Sequence, residues 1–341
     1  MQTLFFPSLQ VLELTGMTEL KGWWKGVEAI ESTNDSESTS SSEIVGAGRQ
    51  YDDHHQLSMQ FCNLSKLIIQ NCPKLKFLPH CPKVEVLTLT GTNERLSVLK
   101  MATTTASCSV SGRAELKLKE LTMDNVEDQL MSLPKQCLHQ LSSLTVEWDG
   151  KLVNTKSLGE AFAALSYSLR RLKFSYCLNL RSISQGLEHL TKLEKLEFFE
   201  CEVFDVSVNE QPTTSKEGDE MMPWKAFKTN LRFLLFSRLS KMVSLPSGLQ
   251  HLTNLRCLLL MLNLEFREIP EWISCLSSLE ELQLIDCPKL TYLPEGLSKL
   301  ISLNSLIIIE CPELTERCRR PNGLDCPKFH HVPIVIVKDS W

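Results

Sequence analysis

Apolar and polar positions along the chain fall into one recurring phrase, Leu-x-x-Leu-x-Leu, in which Val, Ile, Phe or Met sometimes stands for Leu. The phrase begins at Leu9, Leu64, Val84, Leu118, Leu141, Leu169, Leu193, Leu231, Leu255, Leu279 and Leu303. The intervals are 55, 20, 34, 23, 28, 24, 38, 24, 24 and 24 residues. Alternation inside the phrase, as in Leu282-Gln283-Leu284-Ile285, predicts a short strand with one face turned inward. Three equal steps in succession mean true repetition rather than mere richness in leucine, so each phrase marks one coil of a stack. Ile334-Val335-Ile336 is expected to add a final short strand.

The residues after each strand are also periodic. Cys287 stands three residues after Leu284, where the chain turns out of the strand, and Cys72, Cys177, Cys201 and Cys311 hold the same place. A small side chain that tolerates burial suits a seat facing the neighbouring coil. Leu290, Leu293, Leu297, Leu300 and Leu303 then come at steps of three or four, which predicts a short helix on the outer side. Pro294, like Pro134, Pro246 and Pro270, is placed at the first helical position, where its missing N–H costs nothing. Burying each leucine contributes about 1.5–3 kcal/mol, but only where an adjacent coil covers it. The expected fold is therefore an α/β solenoid: a leucine-rich-repeat horseshoe with a parallel concave β-sheet and short helices or irregular turns on the convex side. Eleven strands at roughly 4.8 Å give a concave face on the order of 50 Å long.

Residues 1–341 read as one domain of about 11–12 repeats, with insertions near 25–57, 97–115 and 205–224 and a closing segment over 311–341. The insertions contain Glu31–Glu43, Thr103–Gly112 and Asn209–Glu220, polar stretches too poor in apolar residues to order themselves, and are expected to be flexible loops.

Composition narrows the function. The formal net charge of −5 argues against nucleic-acid binding through a general basic field. The 13 cysteines show no short-spaced disulfide framework, no basic-then-apolar leader pattern opens the chain, and no apolar run is long enough for a bilayer. A cytoplasmic protein without membrane insertion is expected. Cys311, Cys318, Cys326, His330 and His331 lack zinc-knuckle spacing, and Asp52-Asp-His-His55 adjoins an acidic insertion, so no metal is expected. The sequon at Asn63 directly precedes the anchor Leu64, where a glycan would crowd the stack. No Ser/His/Asp or Cys/His set emerges, and binding rather than catalysis is expected.

The phrase Cys-Pro-x-Leu after the strands (Cys72-Pro-Lys-Leu75, Cys287-Pro-Lys-Leu290, Cys311-Pro-Glu-Leu314) resembles the C-terminal repeats of plant intracellular nucleotide-binding leucine-rich-repeat (NLR) disease resistance proteins of the coiled-coil class. Phe6-Pro-Ser-Leu9, Leu20-Lys-Gly-Trp-Trp24, Leu293-Pro-Glu-Gly-Leu-Ser-Lys-Leu300 and the ending around Cys326-Pro-Lys and His331-Val-Pro-Ile334 extend the likeness over essentially the whole chain. Cys326 departs from that ending, which usually carries Trp. The resemblance implies a recognition module that senses a pathogen effector or an effector-modified host protein (a guardee) and restrains the receptor's nucleotide-binding domain. It also implies a cytoplasmic location with a nuclear or peripheral membrane pool. No Gly-x-x-x-x-Gly-Lys-Ser/Thr loop is present, so ADP or ATP would belong to a nucleotide-binding domain outside this chain, which is expected to be a C-terminal fragment of a longer receptor. The alternatives are the extracellular repeat ectodomain of a receptor kinase and a ubiquitin-ligase substrate adaptor. Against the former, Ile269-Pro270 lacks the preceding Gly of the Gly-x-Ile-Pro element.

Residues that flank the strand leucines should face the concave side. Between the second and third leucines stand, in order, Glu13, Ile68, Thr88, Thr122, Thr145, Lys173, Glu197, Leu235, Leu259, Gln283 and Ile307; the next outward residues include Phe199, Met261, Ile285 and Ile309. The surface thus turns from polar to charged to apolar. Leu235, Leu259, Met261, Ile285, Ile307 and Ile309 are expected to form a protein-binding stripe, with Phe199 at its start, Gln283 within it, and Lys173 and Glu197 on its rim.

Overall fold

The computed structural model describes residues 6–23, 61–93, 96, 117–131, 133, 135–183, 186–206, 223–319 and 321–340. Twelve strands form one sheet in sequential order, every pair parallel. They are β1 (Val11–Thr15), β2 (Lys66–Cys72), β3 (Val86–Thr92), β4 (Glu120–Met123), β5 (Ser143–Glu147) and β6 (Arg171–Ser175). The second half comprises β7 (Lys195–Phe199), β8 (Phe233–Ser237), β9 (Cys257–Met261), β10 (Glu281–Ile285), β11 (Ser305–Ile309) and β12 (Ile334–Lys338). This is the leucine-rich-repeat solenoid that the spacing predicts, with a strand in every repeated phrase and β12 paired to β11. Two of the insertions, near 25–57 and 97–115, lie outside the described residues, as does the one near 205–224 except for its ends. Pro134 and Asp52–His55 also lie outside them.

Register follows the repeat. Leu258, Leu282 and Leu306 lie side by side, and each is fully buried. The third leucine position becomes Phe174, Phe198 and Phe236 in the middle of the array, and these rings stack from coil to coil at centroid distances of 5.7 and 5.8 Å. Phe204 stacks on Phe198 at 4.7 Å. Equal burial at equivalent positions makes stability a sum over neighbouring coils, with no central core separate from the stack.

The strands end by a shared device. Asn71, Trp148, Tyr176, Glu200, Arg238, Leu262, Asp286 and Glu310 all have positive φ, between 49° and 61°. Each strained residue costs about 1–2 kcal/mol outside glycine. In return its N–H reaches the next strand and extends the ladder, as Tyr176 N to Phe199 O (2.9 Å) and Leu262 N to Ile285 O (2.8 Å) show. The turn then drops the following side chain into the buried seat. There Cys72, Cys177, Cys287 and Cys311 point their thiols at the carbonyls of Leu14, Val146, Leu260 and Leu284 at 3.6–3.8 Å. Cys201 is equally buried, its thiol 3.6 Å from Phe199 O.

Where the seat carries a polar residue, the bonds are shorter. Asn263 donates to Phe236 O and accepts from Leu239 N, both at 2.9 Å, while Asp149 accepts from Val126 N at 2.9 Å. The contact with Cys201 and burial push the Cys177 thiol up, and Cys311 and burial do the same to Cys287, so these thiols stay protonated. Among the described residues no cysteine is in a disulfide.

The outer side departs from the expected helices. Leu290, Leu293, Leu297 and Leu300 are buried as predicted, but the only helical piece among them is a 3-10 turn at Glu295–Lys299. Matching 3-10 turns occupy Ser247–His251 and Glu271–Cys275. In this coil the three-to-four spacing records a chain winding round its core rather than an α-helix. Pro246, Pro270 and Pro294 are extended (ψ 138°, 155° and 156°) and stand one residue ahead of the turns, where their carbonyls accept the first hydrogen bond. α-Helices occur at α1 (Val126–Met131), α2 (Lys135–Leu138), α3 (Gly159–Leu165) and α4 (Pro312–Cys318).

The closing segment is tied down by charge. Asp325 has a side chain with 0 % exposure and is held by Arg317 (2.9 and 3.2 Å), by Lys328 (3.0 Å) and by the N–H of Leu293 in the preceding coil (2.9 Å). Cys326 is half-buried and its thiol lies 3.6 Å from Cys318 O.

Candidate functional site

A strand that buries alternate residues must present the others, and in an all-parallel stack those others line up into rows. One row runs through Thr145, Lys173, Glu197, Leu235, Leu259, Gln283, Ile307 and Ile336 on consecutive strands. Lys173, Glu197, Leu235, Leu259, Gln283 and Ile307 are all half-buried and open to the concave side. The charged members are engaged laterally: Glu197 pairs with Lys195 at 3.2 Å, and Lys173 Nζ lies 5.6 Å from the centre of the Phe199 ring.

The second row runs through Glu147, Ser175, Phe199, Ser237, Met261, Ile285, Ile309 and Lys338. Here the expected stripe is corrected. Phe199 and Met261 are half-buried, but Ile285 and Ile309 are only 3 % and 5 % exposed. Strands about 4.8 Å apart place side chains on both flanks of each, and a short branched residue between them is closed over. Lys338 on β12 flanks Ile309 in this way. The open apolar surface therefore includes Leu235, Leu259, Met261 and Ile307 but not Ile285 or Ile309. Ser237, between Phe199 and Met261, is 1 % exposed, and its hydroxyl has no hydrogen-bond partner among the described residues.

A third row, one residue before the second leucine, also faces outward. It carries Arg171, Lys195, Phe233, Cys257 and Glu281. Lys195 Nζ lies 4.1 Å over the Phe233 ring. Burial first, and then Glu281 at 3.4 Å, push the Cys257 thiol up to about 12, which makes it a poor nucleophile.

Sequence reasoning missed two residues of this face. Trp148 is 56 % exposed and stacks on Tyr176 at 3.9 Å with an interplanar angle of 1°. Tyr176 in turn meets Phe199 edge-on at 5.4 Å. Both stand in the left-handed turn after the strand, where turn chemistry favours Gly or Asn and a period-two reading stops. Aromatic residues at that position in two consecutive repeats were the signal.

The residues weighed for metal do not converge. Cys311 sits in its ladder seat, His331 Nε2 meets Leu300 O at 2.9 Å and His330 Nδ1 meets Pro327 O at 2.9 Å. Among the described residues no group of three or more His, Cys, Asp or Glu is placed to hold a metal ion, and no helix is long and apolar enough to cross a membrane. Asn63 is exposed; its amide donates to Pro7 O at 2.8 Å and its oxygen accepts from Lys83 at 2.8 Å, so both ends of the side chain are engaged.

No protein-family model matches the sequence, and no curated protein matches it. Among solved structures it is similar to the leucine-rich repeat domain of the type III effector XopL, with 21 % identity and a TM-score of 0.43, over 67 % of this chain and 77 % of that one. It is also similar to a Leptospira interrogans leucine-rich repeat protein, with 19 % identity and a TM-score of 0.35, over 74 % of this chain and 61 % of that one.

Proposed function

We propose that the chain is the recognition module of a plant intracellular immune receptor of the nucleotide-binding leucine-rich-repeat class. Its concave face binds a pathogen effector or an effector-modified host protein and, at rest, the receptor's own nucleotide-binding domain. The observation that carries this reading is the run of open apolar residues Leu235, Leu259, Met261 and Ile307 on in-register strands of a rigid sheet. Such a surface contributes binding energy only when a partner removes it from water. The Cys-Pro-x-Leu phrases and the terminal segment support the parentage by resemblance. ADP or ATP belongs, in this reading, to the nucleotide-binding domain, and the chain itself performs no catalysis. Competition between resting-state and activating partners for one face would shift the receptor between two states.

The test begins with the coding sequence upstream of Met1, where an in-frame phosphate loop is expected. That domain, expressed as a separate chain, should co-precipitate with this one, and Leu235→Asp with Leu259→Asp should abolish the capture. A secretory leader followed by a receptor-kinase organisation upstream would overturn the parentage.

A further inference from the structure

The aromatic ledge of Trp148 and Tyr176 lies apart from the apolar run and is built for a different contact. Both residues occupy the left-handed turn position shared by the repeats, with φ 61° and 55°. The two rings are parallel and 3.9 Å apart, and Phe199 braces Tyr176 from the side. One face of the indole is covered by Tyr176 of the following coil, so its other face is turned toward the preceding coils. There the chain steps down: the equivalent places hold Asn125, which is 7 % exposed, and Gly91. The indole is left as an open platform.

The rim of that platform is acidic. Glu147 adjoins Trp148 in the chain and is half-buried; its counterpart on the preceding coil, Asp124, accepts a hydrogen bond from Gly91 N–H through one oxygen. Asp128 lies within 3.1 Å of the Asn125 amide, at the foot of the step. Among the described residues neither Glu147 nor Asp128 forms an ion pair. Lys151 is the basic group whose charge acts on Asp124, and Lys173 lies beyond the aromatic residues, over Phe199.

From this geometry we infer that the ledge seats an arginine side chain presented by the protein partner. A guanidinium is planar, so it can stack on the open indole face and direct its edge donors to Glu147 and Asp124 at the same time. An ammonium offers a point charge and no stacking plane, which makes lysine the weaker ligand. A nucleic acid would also stack on an exposed indole, but its phosphates would meet this acidic rim. The ring is already held by Tyr176, so little side-chain freedom is lost on binding. The inference rests on the concave side being a protein-binding surface and names one of its contacts.

The test uses the full chain and three probes: an acetylated, amidated peptide of alternating Arg and Gly, its Lys–Gly counterpart, and an oligothymidylate. Indole fluorescence at low salt is followed against probe concentration. Saturable quenching by the arginine peptide is expected, severalfold weaker quenching by the lysine peptide, and none by the oligonucleotide. Trp148→Gly should weaken arginine-peptide binding at least about tenfold, as loss of an aromatic anchor does, with peptide-induced chemical-shift changes as the readout in that variant. Its melting temperature should be unchanged or higher, because glycine relieves the strain at φ 61°. Glu147→Gln should also weaken binding without altering the fold. Undiminished arginine-peptide binding in Trp148→Gly, equal binding of the two peptides, or tighter binding of the oligonucleotide would each overturn the inference. None of these results alters the capture assay on Leu235 and Leu259, so the ledge can fail while the apolar surface stands.

Discussion

Phe198→Ala should destabilise the chain by about 3–5 kcal/mol, the cost of a large aromatic cavity in a packed interior. Phe198 is fully buried and stacks on three rings, Phe174, Phe204 and Phe236. Two of these belong to the coils on either side, so the cavity opens at both inter-coil interfaces at once. In a stack held by nearest-neighbour contacts, weakening one junction also lowers cooperativity. Urea unfolding followed by circular dichroism should therefore show an earlier transition that separates into two steps. Phe199→Ala, one residue on but facing the concave side, should cost far less. A single cooperative transition for Phe198→Ala, shifted by less than about 1 kcal/mol, would mean that the aromatic stack does not couple the coils.

Asp325→Ala should have the next largest effect, about 3 kcal/mol, because it removes the common partner of two cations and of a buried N–H. The damage should be local, since Asp325 joins the closing segment to Leu293 of one neighbouring coil. Amide hydrogen exchange over 311–338 should rise while β5 to β9 keep their protection. The same contact gives a pH dependence. Burial alone would push the Asp325 carboxyl up, but hydrogen bonds from Arg317, Leu293 N–H and Lys328 together hold it below the ordinary carboxylate value. A depressed folded-state value means that the stabilisation is fully present above the unfolded carboxylate pKa. It is lost as pH falls through the folded value. Protection of the closing segment should thus fade in acid in the native chain and be pH-independent there in Asp325→Asn. Unchanged exchange over 311–338 in Asp325→Ala would show that α4 and β12 hold themselves.

The strands were legible because burial on one face imposes a period of two, which Glu281-Leu282-Gln283-Leu284 displays. Cysteine in the seat was legible because it recurs at one fixed offset from the strand, although Leu239 fills the same seat by packing. Asn263 and Asp149 occupy the same seat by hydrogen bonding instead, and a search for cysteine alone passes over them. Other features were hidden for physical reasons. A leucine every three or four residues describes both a helix and a chain circling a core, and the pattern alone does not distinguish them. Ile285 and Ile309 face outward by pattern, yet their exposure depends on the bulk of residues one strand away. Trp148 and Tyr176 depend on a left-handed turn that neither residue type announces.

The working surface is the point on which the functional reading turns, and site-directed photocrosslinking addresses it whatever the partner's identity. A photoreactive phenylalanine analogue is placed at Leu259 on the concave side, or at Ile301 on the outer side, where the native residue is 88 % exposed. The full chain is irradiated in the cells that express it. A discrete protein adduct from position 259 and none from position 301 is the expected result. Adducts from position 301 with none from position 259 would contradict it and move the contact surface to the outer side of the solenoid.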